Sequence, residues 1–396
     1  MAEGEATVDT GPLRVGIVCP YSLTVHGGVQ MQVLALAREL RRRGHEARVL
    51  GPCDGPPPES FVTPLGKSLP TAANGSIAPL APDPPAVMRT IRVLDEEQFD
   101  VVHVHEPLAP GPSMTATMTH RHPTVGTFHA AGVSASYRFF TPLLRRFIER
   151  LDRRVVVSKD ARRLVETYFP GEYEVLFNGV DVASIDRVPA MERAPGARPV
   201  VFFCGRHEHR KGLSVLVDAF RAMSTDAELW IASTGPDTAA LTEATAHDDD
   251  IVWLGRISEE DKIARLKAAD VFCAPSLGGE SFGIVLIEAM AAGTTVVASA
   301  LDGYRNVATH GVDALLGPPG DVDALVASLE TALGDPELAE RLRLDGSRRA
   351  QDFSMEHLCD RYLEIYRDLV REWAGRGSAG GRDPGDPTRA LRTLIR

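Results

Sequence analysis

Asp270-Val-Phe-Cys-Ala-Pro275 followed by Ser276-Leu-Gly-Gly-Glu280-Ser-Phe-Gly-Ile-Val-Leu-Ile-Glu288 decides the fold. Its first part is a short apolar run with β-branched and aromatic residues, as expected of a buried strand. Gly278-Gly279 supplies the turn, and Phe282 to Ala292 reads as an amphipathic helix with little else to stop it. The unit is therefore strand, loop, helix. Glu280 sits in the loop and Glu288 on the helix, roughly 8 Å or more along the axis from its first turn at about 1.5 Å per residue. Between them lie the unsatisfied N–H groups and the positive dipole end of the helix. An anion held there has a carboxylate on either side, and carboxylates accept hydrogen bonds from hydroxyls. A phosphate flanked by polyols, as in a nucleotide sugar, fits that pattern. Plain helix-terminus electrostatics for Glu280 and a solvated face for Glu288 explain the same spacing.

Working outward, the same alternation recurs along the chain. Leu13-Arg-Val-Gly-Ile-Val-Cys19 is a strand, Gly27-Gly28 a loop, and Val29 to Arg43 a helix ending at Gly44. Further strands are expected at 47–50, 101–105, 124–128, 154–157 and 174–176, with helices at 85–97 and 140–152. The stretch 186–198 is rich in proline and reads as a linker. Beyond it strands are expected at 200–204, 228–233, 251–254, 270–274 and 295–299, with helices at 213–223, 259–267, 282–292 and 322–333. Val-rich strands alternating with helices imply an α/β fold with parallel sheets covered on both faces. The expected organisation is a first Rossmann-like domain over 13–185, a linker at 186–198 and a second Rossmann-like domain over 199–353. A helix follows at 354–374. The glycine-rich 375–396 is too poor in apolar residues to fold. Two doubly wound domains would face each other across a cleft, with ligands at the carboxyl ends of the strands.

The chain has 396 residues, 44% of them hydrophobic, and a formal net charge of −11, which argues against a general nucleic-acid binder. Cys19, Cys53, Cys204, Cys273 and Cys359 form no C-x-x-C pair and read as small residues in a reducing compartment. The acidic, polar start does not resemble a signal peptide, and no apolar run is long enough to cross a bilayer. A cytoplasmic location follows as the expectation. Between Arg138 and Arg163, nine Lys or Arg stand against three acids. Within that segment Phe140, Leu143, Leu144, Phe147, Ile148 and Leu151 make a helical stripe suited to core packing. Arg145, Arg146, Arg150, Arg153 and Arg154 could meet an anionic membrane surface, or simply be solvated.

Gly205-Arg206-His-Glu-His-Arg210-Lys211-Gly212 follows directly on the first strand of the second domain. Arg206 and Lys211, at a strand's carboxyl end, suit a diphosphate that gains charge as it departs. Gly28 opens a helix where backbone can approach a phosphate. His129 ends the strand 124–128. His103 and His105 share a strand face and, with Glu106, form a weak metal-ligand candidate lacking a third partner at a characteristic spacing. Asp248-Asp249-Asp250 reads as a surface charge run.

Taken together, the Gly-Gly loop, Gly-Arg-x4-Lys-Gly and Glu-x7-Glu resemble the retaining glycosyltransferases of family 4, which have the GT-B fold. In that fold the last helix crosses back to the first domain. Cys19-Pro-Tyr-Ser22 with Gly27-Gly-Val-Gln30, His105-Glu-Pro107, Thr127-Phe-His129, Asn178-Gly-Val-Asp-Val182 and Gly278 to Leu286 are most similar to the actinobacterial phosphatidyl-myo-inositol mannosyltransferases. The resemblance implies GDP-mannose as donor, an inositol-containing lipid as acceptor at the cytoplasmic membrane face, and no cofactor or metal for the chemistry. It assigns Gly28, Arg206, Arg210 and Lys211 to the diphosphate, Glu280 to the sugar hydroxyls and Glu288 to the ribose. Ser281, Phe282, Gly283 and Ile284 line the donor, Ile257, Glu259 and Lys262 the guanine, and His129 touches the transferred sugar. Tyr21, Gln30 and Asn74 match acceptor-side positions. The chain departs from the pattern at Ala73, where a tyrosine is expected, and at Pro79, where an arginine is expected. These departures leave open a related transferase using a UDP-sugar and a soluble acceptor. A catalytically silent nucleotide-sugar-binding protein is the alternative of another class.

Overall fold

In the computed structural model, residues 11–379 are described apart from 26, 74–75, 130–140, 142–143 and 281. The chain divides into two units: one comprises Met1–Val157, Ala161–Leu176 and Cys359–Arg396, the other Ser158–Asp160 and Phe177–Leu358.

The first unit carries strands β1 (Arg14–Val18), β2 (Glu46–Gly51) and β3 (Val62–Pro64), a hairpin of β4 (Leu69–Ala73) and β5 (Ser76–Leu80), then β6 (Val101–His105), β7 (Thr124–Phe128), β8 (Arg153–Val156) and β9 (Glu174–Val175). Seven of them form a sheet in the order β3-β2-β1-β6-β7-β8-β9, with every pairing parallel. Val15, Ile17, Val49, Val101 and Val104 are fully buried, because helices cover both faces. The helix Gly28–Arg42 contributes Val33, Leu36, Ala37 and Leu40 to that cover. The helix Pro84–Glu96 starts on an Asp83 cap that accepts from the Ala86 N–H, with proline at the first helical position.

The second unit holds β10 (Val200–Cys204), β11 (Glu228–Ala232), β12 (Ile251–Gly255), β13 (Val271–Ala274), β14 (Thr295–Ser299) and β15 (Leu315–Gly317), in the order β12-β11-β10-β13-β14-β15. Its pairings are likewise all parallel. One face packs Phe202, Phe272, Phe282, Leu286 and Met290. The other packs Phe203, Leu216, Leu229, Ile231 and Leu329.

In each sheet the strand order reverses once, between β1 and β6 and between β10 and β13. Such a reversal opens a crevice beyond the carboxyl ends of those two strands, where ligands of doubly wound sheets bind.

The stretch 186–198 is held to the second unit: the Met191 N–H donates to the Ala264 carbonyl at 2.9 Å, Lys267 Nζ reaches the Val188 carbonyl at 2.7 Å, and Arg193 pairs with Asp270 at 2.9 Å. Two expectations change. The helix expected to stop at residue 374 runs over Met355–Ala379, since extending a formed helix needs one bond per residue even through poor formers such as Gly375 and Gly377. The expected tail beyond 379 lies outside the described residues. Of the helix expected over 140–152, the described residues 141 and 144–148 are helical and the chain turns at 149–150, while Arg153 and Arg154 stand on β8, close to the strand expected at 154–157.

Candidate active site

At the β10/β13 reversal two loops meet. After β10, the 3-10 turn His209–Lys211 ends on Gly212, whose φ is +68° and whose hypothetical Cβ would lie 2.0 Å from the Pro275 carbonyl oxygen. Only glycine fits there, and it brings Lys211 against the loop after β13. Lys211 Nζ donates to Glu280 Oε1 at 2.6 Å, Ser276 Oγ donates to the same oxygen at 3.0 Å, and Arg210 lies at 3.4 Å. The Ser276 hydroxyl also meets Tyr304 Oη at 3.0 Å. Arg206, exposed, pairs with Glu208 at 2.7 Å.

The helix Ile284–Ala291 begins on Gly283, at φ +103°, with no side chain capping it. Gly283 thus offers the first N–H groups no side-chain acceptor of the kind that usually satisfies such a terminus. A turn further on, Glu288 accepts from Lys262 Nζ at 3.0 Å, and the same ammonium reaches Glu259 at 2.6 Å. Burial of that ammonium alone would lower its pKa, but Glu288 and Glu259 outweigh it and hold Lys262 above the usual range. Ile257, partly buried, packs against the core of this unit. Glu259 opens the helix Glu259–Ala268, capped by Ser258. Thus Arg210, Lys211 and Glu280 form one cluster and Glu259, Lys262 and Glu288 a second, both in the second unit. The Phe282 ring is buried between Phe177 and Phe353, which leaves its main chain to face a ligand. Ile284 likewise packs against the core. Ser281 lies outside the described residues.

In the first unit, Gly28 opens its helix in an exposed position with nothing within 4 Å of a hypothetical Cβ. Gln30 is buried and bonds the Ser22 carbonyl through Nε2 at 3.4 Å, so it braces the loop after β1. Tyr21 forms a bridge with Leu80; burial, with Glu106 nearby, pushes its phenol above the usual range. Asp54 gathers three loops: it accepts from Ser22 Oγ at 2.5 Å and from both the Ser68 N–H and Oγ at 2.7 Å, while its own N–H donates to Thr24 Oγ1 at 3.0 Å. Pro79 gives its carbonyl to the Ser22 N–H at 2.9 Å. Asn74 lies outside the described residues.

Beyond β6 and β7, the His129 N–H donates to Glu106 Oε1 at 2.7 Å, and its ring Nε2 lies 2.8 Å from His105 Nδ1. Although His129 as a residue is only partly buried, desolvation of its ring pushes it down to about 3. Glu106, itself buried, adopts φ +46°, a left-handed conformation rare for its type and typical of functional turns. His103 is bonded on both nitrogens, to Tyr366 Oη and Thr127 Oγ1, each at 2.7 Å. Among the described residues no group of three or more His, Cys, Asp or Glu is placed to hold a metal ion.

The family model for glycosyl transferases group 1 matches residues 184–349, and that for Glycosyltransferase Family 4 matches residues 26–184. A phosphatidyl-myo-inositol mannosyltransferase of Mycobacterium leprae (strain TN) is 38% identical over 365 residues, covering 90% of this chain and 97% of the relative. The chain belongs to glycosyltransferase family 4. A second phosphatidyl-myo-inositol mannosyltransferase, of Mycolicibacterium smegmatis, is 38% identical, covering 90% of this chain and 94% of that one. Among solved structures, a sucrose-phosphate synthase from Thermosynechococcus elongatus superposes with a TM-score of 0.73 at 20% identity, over 91% of this chain and all of that one; at that identity the likeness speaks for the GT-B fold. With these relatives and family models, this transferase is a hexosyltransferase.

Sequence reading had missed Ser276 and Tyr304, which hold Glu280 in place, and Asp54, which ties the loops around Tyr21. Ser276 stands four residues before Glu280 in the stretch that decides the fold, but nothing local marks its hydroxyl as a partner of Glu280; Tyr304 and Asp54 meet partners well separated in sequence. Of the arginines expected to meet a membrane, Arg150 bonds the Met118 carbonyl, Arg153 pairs with Glu372, and Arg154 lies over the Tyr173 ring. Arg145, which pairs with Glu149, and Arg146 remain exposed. Among the described residues no helix of the transferase is long and apolar enough to cross a membrane.

Proposed function

We propose that this transferase moves a mannosyl residue from GDP-mannose, with retention of configuration, to the inositol ring of a phosphatidylinositol lipid at the cytoplasmic face of the membrane. The observation that carries the reading is the pair of charge clusters at the β10/β13 reversal, Lys211 with Glu280 and Lys262 with Glu288. In this reading Lys211, Arg206 and Arg210 exchange their carboxylate partners for the diphosphate, and Gly28 lets backbone approach it. The released Glu280 accepts hydrogen bonds from the sugar hydroxyls, and Glu288 binds the ribose. Main-chain groups from Ser281 to Ile284 face the donor.

Glu259 supports guanine over uracil, because a carboxylate accepts the two adjacent N–H donors that guanine offers and uracil lacks. Ile257 and Lys262 flank it. His129 touches the transferred sugar, while Tyr21, Gln30 and Asn74 serve the acceptor side. As the donor bond breaks, charge gathers on the diphosphate, where the cations and the first N–H groups of the helix Ile284–Ala291 stabilise it. The departing phosphate oxygen takes the proton of the attacking inositol hydroxyl on the same face of the sugar. Arg145 and Arg146 would meet anionic headgroups.

The test is nucleotide release from GDP-, UDP- and ADP-sugars, with and without phosphatidylinositol vesicles. Turnover is expected with GDP-mannose and vesicles, and Lys211→Ala and Glu280→Ala should each lower kcat by about 10²- to 10³-fold. Preference for a UDP-sugar would overturn the guanine assignment, and activity without vesicles the lipid acceptor. Pro79, standing where the related pattern has an arginine, favours the second reading, in which a soluble inositol phosphate or aglycone is the acceptor.

A further inference from the structure

His105, at the end of β6, is 3% exposed. Its ring lies against His103, with centroids 4.3 Å apart, and stacks on His129 at 5.1 Å. Its Nδ1 is 2.8 Å from His129 Nε2. Its Nε2 is buried with no hydrogen-bond partner among the described residues. His103 cannot help, since both its nitrogens are committed to Tyr366 and Thr127.

That orphaned atom constrains where one proton sits. Desolvation keeps all three rings neutral: His103 and His129 are pushed down to about 3, and His105 well below its usual value. Each therefore carries one N–H and one bare nitrogen. The contact between His105 Nδ1 and His129 Nε2 needs a single proton, which leaves two arrangements. If His129 Nε2–H donates, His105 must carry its own proton on Nε2, and a buried N–H is left with nothing to accept it. If His105 Nδ1–H donates, only a lone pair is left unpartnered. Orphaned buried N–H groups are the rarer of the two in folded proteins. The second arrangement also fixes the state of the outer ring: His129, accepting at Nε2, must carry its proton on Nδ1.

We infer that His105 is a positioning residue that locks His129 in the Nδ1–H tautomer, so that His129 presents a neutral hydrogen-bond donor to an oxygen of the transferred sugar. The inference rests on the donor-sugar role proposed for His129. A neutral N–H donor stabilises partial negative charge on a sugar oxygen without introducing a cation near the positive charge that develops on the reacting carbon. It also makes His129 unfit as a general base through Nδ1. The geometry resembles the use of a carboxylate to fix a histidine's tautomer, with a second neutral imidazole in that part.

Nitrogen NMR of the full-length transferase labelled with ¹⁵N-histidine tests the tautomer directly, with His129→Gln identifying the resonance. A protonated Nδ1 and bare Nε2 on His129 at neutral pH is expected; the reverse tautomer, or an imidazolium, overturns the inference. Kinetics give an independent readout. His105→Leu keeps approximate shape but no donor, and should lower kcat about tenfold with little change in donor KM. His105→Asn places an amide nitrogen near the position of Nδ1 and should recover most of that loss. If both variants are equally impaired, the donor role of His105 is wrong. Failure of the donor assignment is distinguishable: preference for UDP-sugars would overturn the guanine reading while leaving the tautomer result intact.

Discussion

His103 and His105 are nearly inaccessible to water and uncharged, so their contribution to stability depends on pH in a calculable direction. Unfolded, each protonates near pH 6.5; folded, His103 does so only at about 3 and His105 well below its usual value, burial being the cause. The unfolded chain therefore binds more protons as pH falls, and stability that is fully present above pH 6.5 is lost below it. Each ring withdraws up to about 1.4 kcal/mol per pH unit across that window. Urea midpoints measured from pH 7.5 down to 5 should fall with this slope, and His103→Gln should flatten it. An unchanged slope in that variant would mean that other groups govern acid unfolding. The sequence placed these histidines on one strand face but could not show what they touch: Tyr366 is 263 positions from His103, and no local pattern encodes a bond of that span.

The glycine-bearing loops show how far local sequence determines the site. Gly28 and Gly212 look alike in the sequence, each just before or at a helix start, yet their surroundings differ. Alanine at Gly212 would require a φ of +68° and place its Cβ 2.0 Å from the Pro275 carbonyl. Gly212→Ala should therefore destabilise the second unit by at least 1–2 kcal/mol and, by displacing Lys211, reduce turnover. Gly28 has open space before it, so Gly28→Ala should leave thermal stability within about 0.5 kcal/mol while weakening donor binding if backbone meets phosphate there. Thermal melts beside donor KM separate the two cases, and equal stability loss in both would refute the contrast. Strands, helices and the motifs at their carboxyl ends were legible because period and turn chemistry act over a few residues. The hairpin β4–β5 was legible in principle from Asn74-Gly75, a two-residue turn signal, but its short strands carry prolines that hide the alternation. The helices Pro112–Thr119, Thr238–Ala244 and Pro336–Gln351 went unread; the first two are short and the last is strongly polar. Glu280 was recognised from spacing, whereas Ser276 and Tyr304, which orient it, emerge only from the fold.

At the scale of the molecule, the first unit is built from both ends of the chain. The helix Met355–Ala379 lays Tyr362 and Tyr366 against His103 and Thr127, and fixes its flanks through Arg43 with Asp360, Arg361 with Glu174 at 2.9 Å, and Arg153 with Glu372. Tyr366→Phe removes one buried hydrogen bond and should cost about 1–2 kcal/mol, whereas ending the chain at Leu358 uncovers the sheet's polar seam and should abolish cooperative melting of the first unit. Retention of that transition in the truncated protein would show that the helix is dispensable. The same arrangement sets an order on the ribosome. Residues 177–358, which supply nearly all of the second unit, emerge as one continuous stretch, while the strands bearing His103 and Thr127, made long before, wait for Tyr362 and Tyr366 to leave the exit tunnel. The portion translated first is thus the last to be finished, and during that interval its half-covered sheet is the part of the nascent chain that a chaperone would find.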